Sequence, residues 1–126
     1  MSGPELRLYI VLPATLFVPE TGEHVSMSCG RLMAQAIHIG SKIKIRHKID
    51  PDLRMTTITL KVDGSKELEQ VLDKVKKSGI AWEVFLDDNK DVYGTEACLL
   101  TGVAALCSRK KGKSVFYGIE SWKCNA

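Results

Sequence analysis

Residues 30–38 read GRLMAQAIH, and how this stretch coils decides the fold. Leu32, Met33, Ala34, Ala36 and Ile37 are apolar or small, and Arg31, Gln35 and His38 interrupt them. On a helix Gln35 falls about +40° from Arg31, His38 about −20° and Lys42 about +20°, so the four share a strip about 60° wide. The rest of the circumference is apolar, which predicts a helix buried on most sides. A narrow polar seam on such a helix must meet water or a partner it can hydrogen-bond. Ser28 precedes the stretch as a cap, and Gly40 and Ser41 are expected to end or weaken it.

Outward from this helix, LRLYIVL (6–12) is a compact apolar run stopped by Pro13 and reads as a central strand buried on both faces. FVPETGEHVSMSC (17–29) reads as a long loop, and RHKIDPDLR as a polar connection. TTITLKV (56–62) alternates as a strand with one polar side. Leu68, Val71, Leu72 and Val75 recur at helical spacing within DGSKELEQVLDKVKKSG, with Ser65 as its cap and Gly79 at its exit. IAWEVFL is a third strand, delivering Asp87 and Asp88 at its end. Residues 95–108 (TEACLLTGVAALCS) are long for a strand and are expected to coil, against the preference of Thr101 and Gly102. SVFYGIESW (114–122) is expected as a last strand. This order predicts one α/β domain over 1–126: a three-layer sandwich with a mixed, mostly parallel four-stranded sheet and helices on both faces.

At 126 residues the chain has the length of a single domain with a sizeable core. No apolar run approaches the roughly 20 residues needed to span a bilayer, and the N-terminus shows no secretory leader, so a cytoplasmic protein without a membrane partner is expected. Cys29, Cys98, Cys107 and Cys124 form no CxxC pair, and His24, His38 and His47 show no ligand spacing with them. Reduced thiols and no metal or other cofactor are expected. The sequence leaves the oligomeric state open, a homodimer included.

Net charge is only +3, but two basic clusters stand out. One holds Lys42, Lys44, Arg46 and Lys48; the other holds Arg109, Lys110, Lys111 and Lys113. Either can contact phosphates or simply face solvent. The polar seam begins at a helix N-terminus after the first strand, where backbone N–H groups and the dipole favour an anion. Asp87, at the carboxyl end of the third strand, can reach the same crevice.

The segment GRLMAQAIH resembles the pattern of type 2 peptidyl-tRNA hydrolases: Gly-Lys, two apolar residues, Ala-Gln, two small residues, His. Gly30, Ala34, Gln35 and His38 match, and Arg31 stands where that family has its catalytic lysine. LRLYIVLP is similar to the family's first strand, residues 56–80 to its second strand and helix, and AWEVFLD to the third strand with its active-site aspartate, here Asp87. Gly94-Thr95 follows where the family has Gly-Thr or Gly-Ser, after a shorter connection; the family's C-terminal Thr-Gly-His-Leu signature is absent. The resemblance spans roughly residues 6–95 and implies cleavage of the ester between a peptide and the 3′ ribose of tRNA, without a required metal. It implies Asp87 as the group that orients or deprotonates water, Arg31 for a phosphate or oxyanion, Gln35 and His38 as positioning groups, Thr95 as a further hydroxyl, and the two basic clusters on the tRNA backbone. Arginine keeps the positive charge but cannot lose a proton near neutral pH, so only roles for a fixed cation carry over. Two other readings stand beside it. One is a non-catalytic module for RNA ends, a peptide or a small anion; the other is a thiol hydrolase built on Cys29, for which His38 on the same helix is too distant to be the base.

Overall fold

A computed structural model of the chain describes residues 5–50, 52–88, 93 and 98–122. Its elements run β1 (Leu6–Pro13), β2 (Thr15–Val18), β3 (Glu23–Ser26), α1 (Cys29–Arg46), β4 (Thr56–Val62), α2 (Ser65–Lys77), β5 (Ala81–Asp87), β6 (Leu99–Ser108), α3 (Arg109–Val115) and β7 (Glu120–Ser121). The class is α/β. Among the described residues the main sheet has five strands, ordered β5-β6-β1-β4-β7, where four were expected. It is mixed, but only β1 and β4 pair in parallel; the β1–β6, β5–β6 and β4–β7 pairings are antiparallel. By direction β1, β4 and β5 run one way, and β6 and β7 the other. The end where β1, β4 and β5 finish is called the upper end below, and the end where they start the lower.

β1 is central because its LRLYIVL run can be buried on both sides, and alternate side chains serve two cores. Leu8, Ile10 and Leu12 share one cluster with Leu32, Ile39 and Ile43 of α1. Tyr9 and Val11 share the other with Leu68, Val71 and Val75 of α2 and Val115 of α3.

Helix α1 starts as expected: Ser28 Oγ accepts from the Arg31 N–H at 3.3 Å. It does not stop at Gly40-Ser41 but continues to Arg46, because Ile39 and Ile43 on either side of this pair are fully buried and tertiary packing outweighs the glycine's low propensity. The expected loop at 17–29 instead contributes to a two-stranded hairpin of β2 and β3. Ser65 does not cap α2. Gly64 takes that position, and Ser65 Oγ accepts from the Phe17 N–H at 2.8 Å, tying the hairpin to the helix.

The C-terminal third departs most. Residues 99–108 extend as β6 rather than coil. Ala104 and Leu106 enter the core beneath α1 and Val103, Ala105 and Cys107 the core beneath α2, so the strand is covered on both faces and loses the alternation that marks a half-exposed strand. The expected strand at 114–122 shrinks to β7, and the basic run SRKKGK becomes the start of α3, capped by Ser108 Oγ on the Lys111 N–H at 3.2 Å. Gly112 lets that helix close onto the sheet, since a Cβ there would lie 2.2 Å from the Tyr9 ring. No helix among the described residues is long and apolar enough to cross a membrane.

Candidate active site

The upper end of the sheet brings together Asp87, which closes β5, and the first turns of α1. Gln35 Nε2 donates to Asp87 Oδ2 at 2.8 Å. The Tyr93 hydroxyl donates to the same oxygen at 2.9 Å. Thr101 Oγ1 donates to Gln35 Oε1 at 2.8 Å, and stands 3.3 Å from the Phe85 carbonyl oxygen. Gln35 is 5% exposed, Thr101 0% and Tyr93 2%, while Asp87 is half-buried. A carboxylate only accepts, so the amide must present its NH2 to Asp87 and its oxygen to Thr101; the hydroxyl fixes the way the carboxamide faces. Buried groups bonded this completely form a rigid network.

Thr101 owes its position to a bulge. Leu86 pairs with Leu100 and Phe85 with Gly102, leaving Thr101 as the extra residue of β6. Bulges re-aim a side chain in this way. The following Gly102 carries no Cβ, which would stand 3.2 Å from Leu12 Cδ2 and 3.4 Å from Ile39 Cδ1, so helix and sheet approach closely beside the network.

Burial, first, and then the hydrogen bond to Asp87 and its negative charge push the Tyr93 phenol well above its ordinary value. Arg31 acts on the same phenol in the opposite sense, which puts its guanidinium charge within electrostatic reach of this corner. Arg31 is half-buried, one turn before Gln35 on α1.

Of the residues expected at the site, Gln35 and Asp87 are joined by a hydrogen bond, and Arg31 lies one turn before Gln35 on α1. His38 is exposed and lies against the Phe85 ring at 5.2 Å between centroids. It borders a shallow depression of about 500 Å³ that Phe85 and Ile45 also line. Thr95 lies outside the described residues. Tyr93 and Thr101 are additions that the sequence alone does not single out. An isolated Gly after a Thr within an apolar strand is a bulge signal, hidden because the segment reads as a helix; Tyr93 carries no signal beyond its nearness to Asp87.

The lower half of the polar seam has another task. Lys42 Nζ donates to the Val84 carbonyl at 2.8 Å and pairs with Glu83 at 3.4 Å. Arg46 reaches Glu83 at 3.6 Å, and His47 Nε2 lies 3.5 Å from the Trp82 carbonyl oxygen. β5 is an edge strand, and these side chains cover its outer carbonyls. Lys44, Arg46 and Lys48 sit at the lower end of α1, and Arg109, Lys110 and Lys111 begin α3 just past the lower end of β6. β5 alone places roughly 20 Å between that end and Asp87, at about 3.3 Å per residue. The two clusters do not flank the site. Among the described residues around its end of the molecule, Glu20, Glu23, Asp63, Glu67, Asp88 and Glu120 join Asp87, against Arg31, Lys61 and Lys66.

Cys29 is the exposed first residue of α1. His24 packs on Phe17, His38 on Phe85, and His47 reaches Trp82, so each imidazole is engaged elsewhere and the thiol-hydrolase reading gains no base. Among the described residues no group of three His, Cys, Asp or Glu side chains is placed to hold a metal ion.

No family model and no curated protein matches the sequence. Among solved structures the chain is similar to Atu0240, a protein of unknown function from Agrobacterium tumefaciens strain C58, at a TM-score of 0.64 and 10% identity over 94% of this chain and 98% of that one. That likeness shows the fold.

Proposed function

We propose that this protein hydrolyses an ester at the 3′ end of RNA, of the peptidyl-tRNA type, at the corner formed by Asp87, Gln35 and Arg31. One observation carries the reading: the glutamine of the GRLMAQAIH helix and the aspartate that ends β5 stand 2.8 Å apart, the juxtaposition implied by the resemblance to type 2 peptidyl-tRNA hydrolases. The strands β4-β1-β6-β5 with α1 and α2 are read here as the three-layer core of that family's fold, in a cytoplasmic protein acting in translation.

In this reading Gln35 and Tyr93 hold the Asp87 carboxylate in one plane. Asp87 takes a proton from water as the water oxygen attacks the ester carbonyl. The guanidinium of Arg31 faces the negative charge that builds on the carbonyl oxygen and needs no change of protonation to do so. Collapse of the tetrahedral species breaks the bond to the ribose 3′ oxygen, which recovers a proton, and frees the peptide carboxylate. His38 and Phe85, beside the depression, supply an apolar wall for the acyl portion.

A second reading, a module that holds RNA ends, a peptide or a small anion without cleaving it, is favoured by the distance between the basic clusters and Asp87. Incubation of the purified protein with peptidyl-tRNA separates the two. Ester cleavage that is lost in Asp87→Asn and Arg31→Ala supports the enzyme; binding without cleavage supports the module.

A further inference from the structure

Helix α1 is covered on one side only. Leu32, Ile39 and Ile43 face the core, whereas Met33 is 64% exposed, Ile37 65% and Ile45 77%. At 100° per residue Met33 lies about −40° from Ile37, Ser41 about +40°, Ala34 about +60° and Ile45 about +80°. These residues, all exposed, therefore share one outer stripe, about 120° wide and, at 1.5 Å per residue, about 18 Å long. A helix that is apolar nearly all round belongs in an interior, and within one chain only the inner half of α1 is enclosed. Apolar residues scattered singly over a surface are ordinary; large ones aligned along one stripe mark a contact.

The two ends of the stripe differ in charge. Its upper end adjoins Asp87, which bonds Gln35, and Asp88, against Arg31. Its lower end carries Lys44, Arg46 and Lys48. No residue of α1 is acidic, so the carboxylates beside the stripe come from β5 and the residue after it.

We propose that the outer face of α1 seats a second copy of this chain, packed antiparallel about a two-fold axis. The proposal does not rest on ester cleavage. With the axis level with Ile39, the middle of the stripe, Ile45 of each copy comes level with Met33 and Ala34 of the other, and Ile37 with Ser41. Ala34 and Ser41 are small, so the two helix axes can close to about 8–10 Å. The same rotation sets Lys44 and Lys48 of each copy beside the Asp87–Asp88 corner of the other. Unlike charges then meet at both ends of the contact, where a parallel pairing would set like on like. One surface thus complements itself in shape and charge, as a closed two-fold pair requires. A lipid surface fits less well, because anionic headgroups repel the carboxylates at the upper end of the stripe. The contact is one helix wide on each copy, so it falls at the low end of specific interfaces, below about 1,200 Å² in total, and gives a weak, concentration-dependent dimer.

The test is sedimentation velocity of the whole chain at low salt, from about 1 to about 300 μM, the range that brackets a weak contact. The average mass should climb from that of one chain toward that of two. Ile37→Glu, on an exposed side chain, should weaken association at least about 10-fold, since a charge at the centre of a contact is poorly tolerated. Lys44→Glu/Lys48→Glu should weaken it as well, and so should added salt. On the wild type, zero-length carbodiimide cross-linking should join Lys48 to Asp88. One chain cannot make that link, because roughly 20 Å separates the two ends of the sheet. A chain that stays monomeric throughout overturns the proposal. So does a dimer that Ile37→Glu leaves at wild-type affinity, and so does one that yields no Lys48–Asp88 link. A monomer that instead sediments with phosphatidylserine vesicles overturns it in favour of a membrane. None of these readouts involves an ester, so failure here leaves the reading of Asp87 untouched, and the reverse.

Discussion

The side-chain amide of Gln35 donates to Asp87 across 2.8 Å, joining positions 52 residues apart in the chain. The hydrogen bond ties the first turns of α1 to the last residue of the edge strand β5, and Thr101 and Tyr93 close it from either side. A polar seam on an otherwise buried helix thereby finds its partner, and the partner is a carboxylate at the carboxyl end of a strand.

Thr101→Val keeps the shape of the side chain and removes the proton given to Gln35. The buried carboxamide oxygen then lacks a donor, which costs about 1–3 kcal/mol. Thr101→Ser keeps the hydroxyl and loses one methyl, about 0.8 kcal/mol. Urea unfolding midpoints should therefore rank wild type above Ser and Ser above Val. Equal midpoints for the two variants would mean that the hydroxyl does not hold Gln35.

Tyr93 makes the fold sensitive to alkali. Its folded-state pKa is raised, chiefly by burial and then by Asp87, so the folded protein keeps a proton that the unfolded chain loses above about pH 10. The stabilisation from keeping the phenol neutral is complete below that pH and is lost as pH climbs toward the folded value. Phenolate absorbance should show this tyrosine ionising together with unfolding, and Tyr93→Phe should remove that component. A Tyr93 that titrates normally in the native state would contradict the buried hydrogen bond to Asp87.

Gly112→Ala sets two effects against each other. An alanine within a helix gains about 1 kcal/mol over glycine. Its Cβ would lie 2.2 Å from the Tyr9 ring, which is buried and stacked on Phe116 at 4.8 Å and has little room to withdraw. Overpacking costs about 1–3 kcal/mol or more, so the variant should melt lower than wild type. A higher melting temperature would show that α3 can lift away from the sheet.

These sites mark how much is legible in the sequence. The seam Arg31–Gln35–His38–Lys42 is readable because a 3.6-residue period exposes any polar interruption of an apolar helix. The role of its lower half is not, because a cation that covers a strand edge looks in sequence like one awaiting a phosphate. β6 escapes such a reading because a strand covered on both faces has no alternation to distinguish it from a buried helix. The same ambiguity conceals Thr101, whose direction depends on a bulge between strands distant in sequence. The hairpin of β2 and β3 is hidden for a similar reason: Pro19, Gly22 and short strands resemble a loop until pairing is known.

Lys42→Met keeps the aliphatic stem but abandons the Val84 carbonyl and Glu83. The pair is partly exposed, so the loss should be about 1 kcal/mol. The larger effect should be on association, because an uncovered outer carbonyl of β5 invites pairing with another chain. Light scattering after gel filtration should show a higher average mass than wild type at equal concentration. An unchanged mass would show that the edge needs no cover.

The most direct test of the central claim is single-turnover cleavage of peptidyl-tRNA by wild type, Gln35→Ala, Asp87→Asn and the double variant. If the two residues act as one unit, each single variant should lose at least about 100-fold, as for a positioned acid–base group, and the double variant should be little worse than the poorer single one. Wild type that leaves the ester intact, or Asp87→Asn that cleaves it at the wild-type rate, would contradict the account.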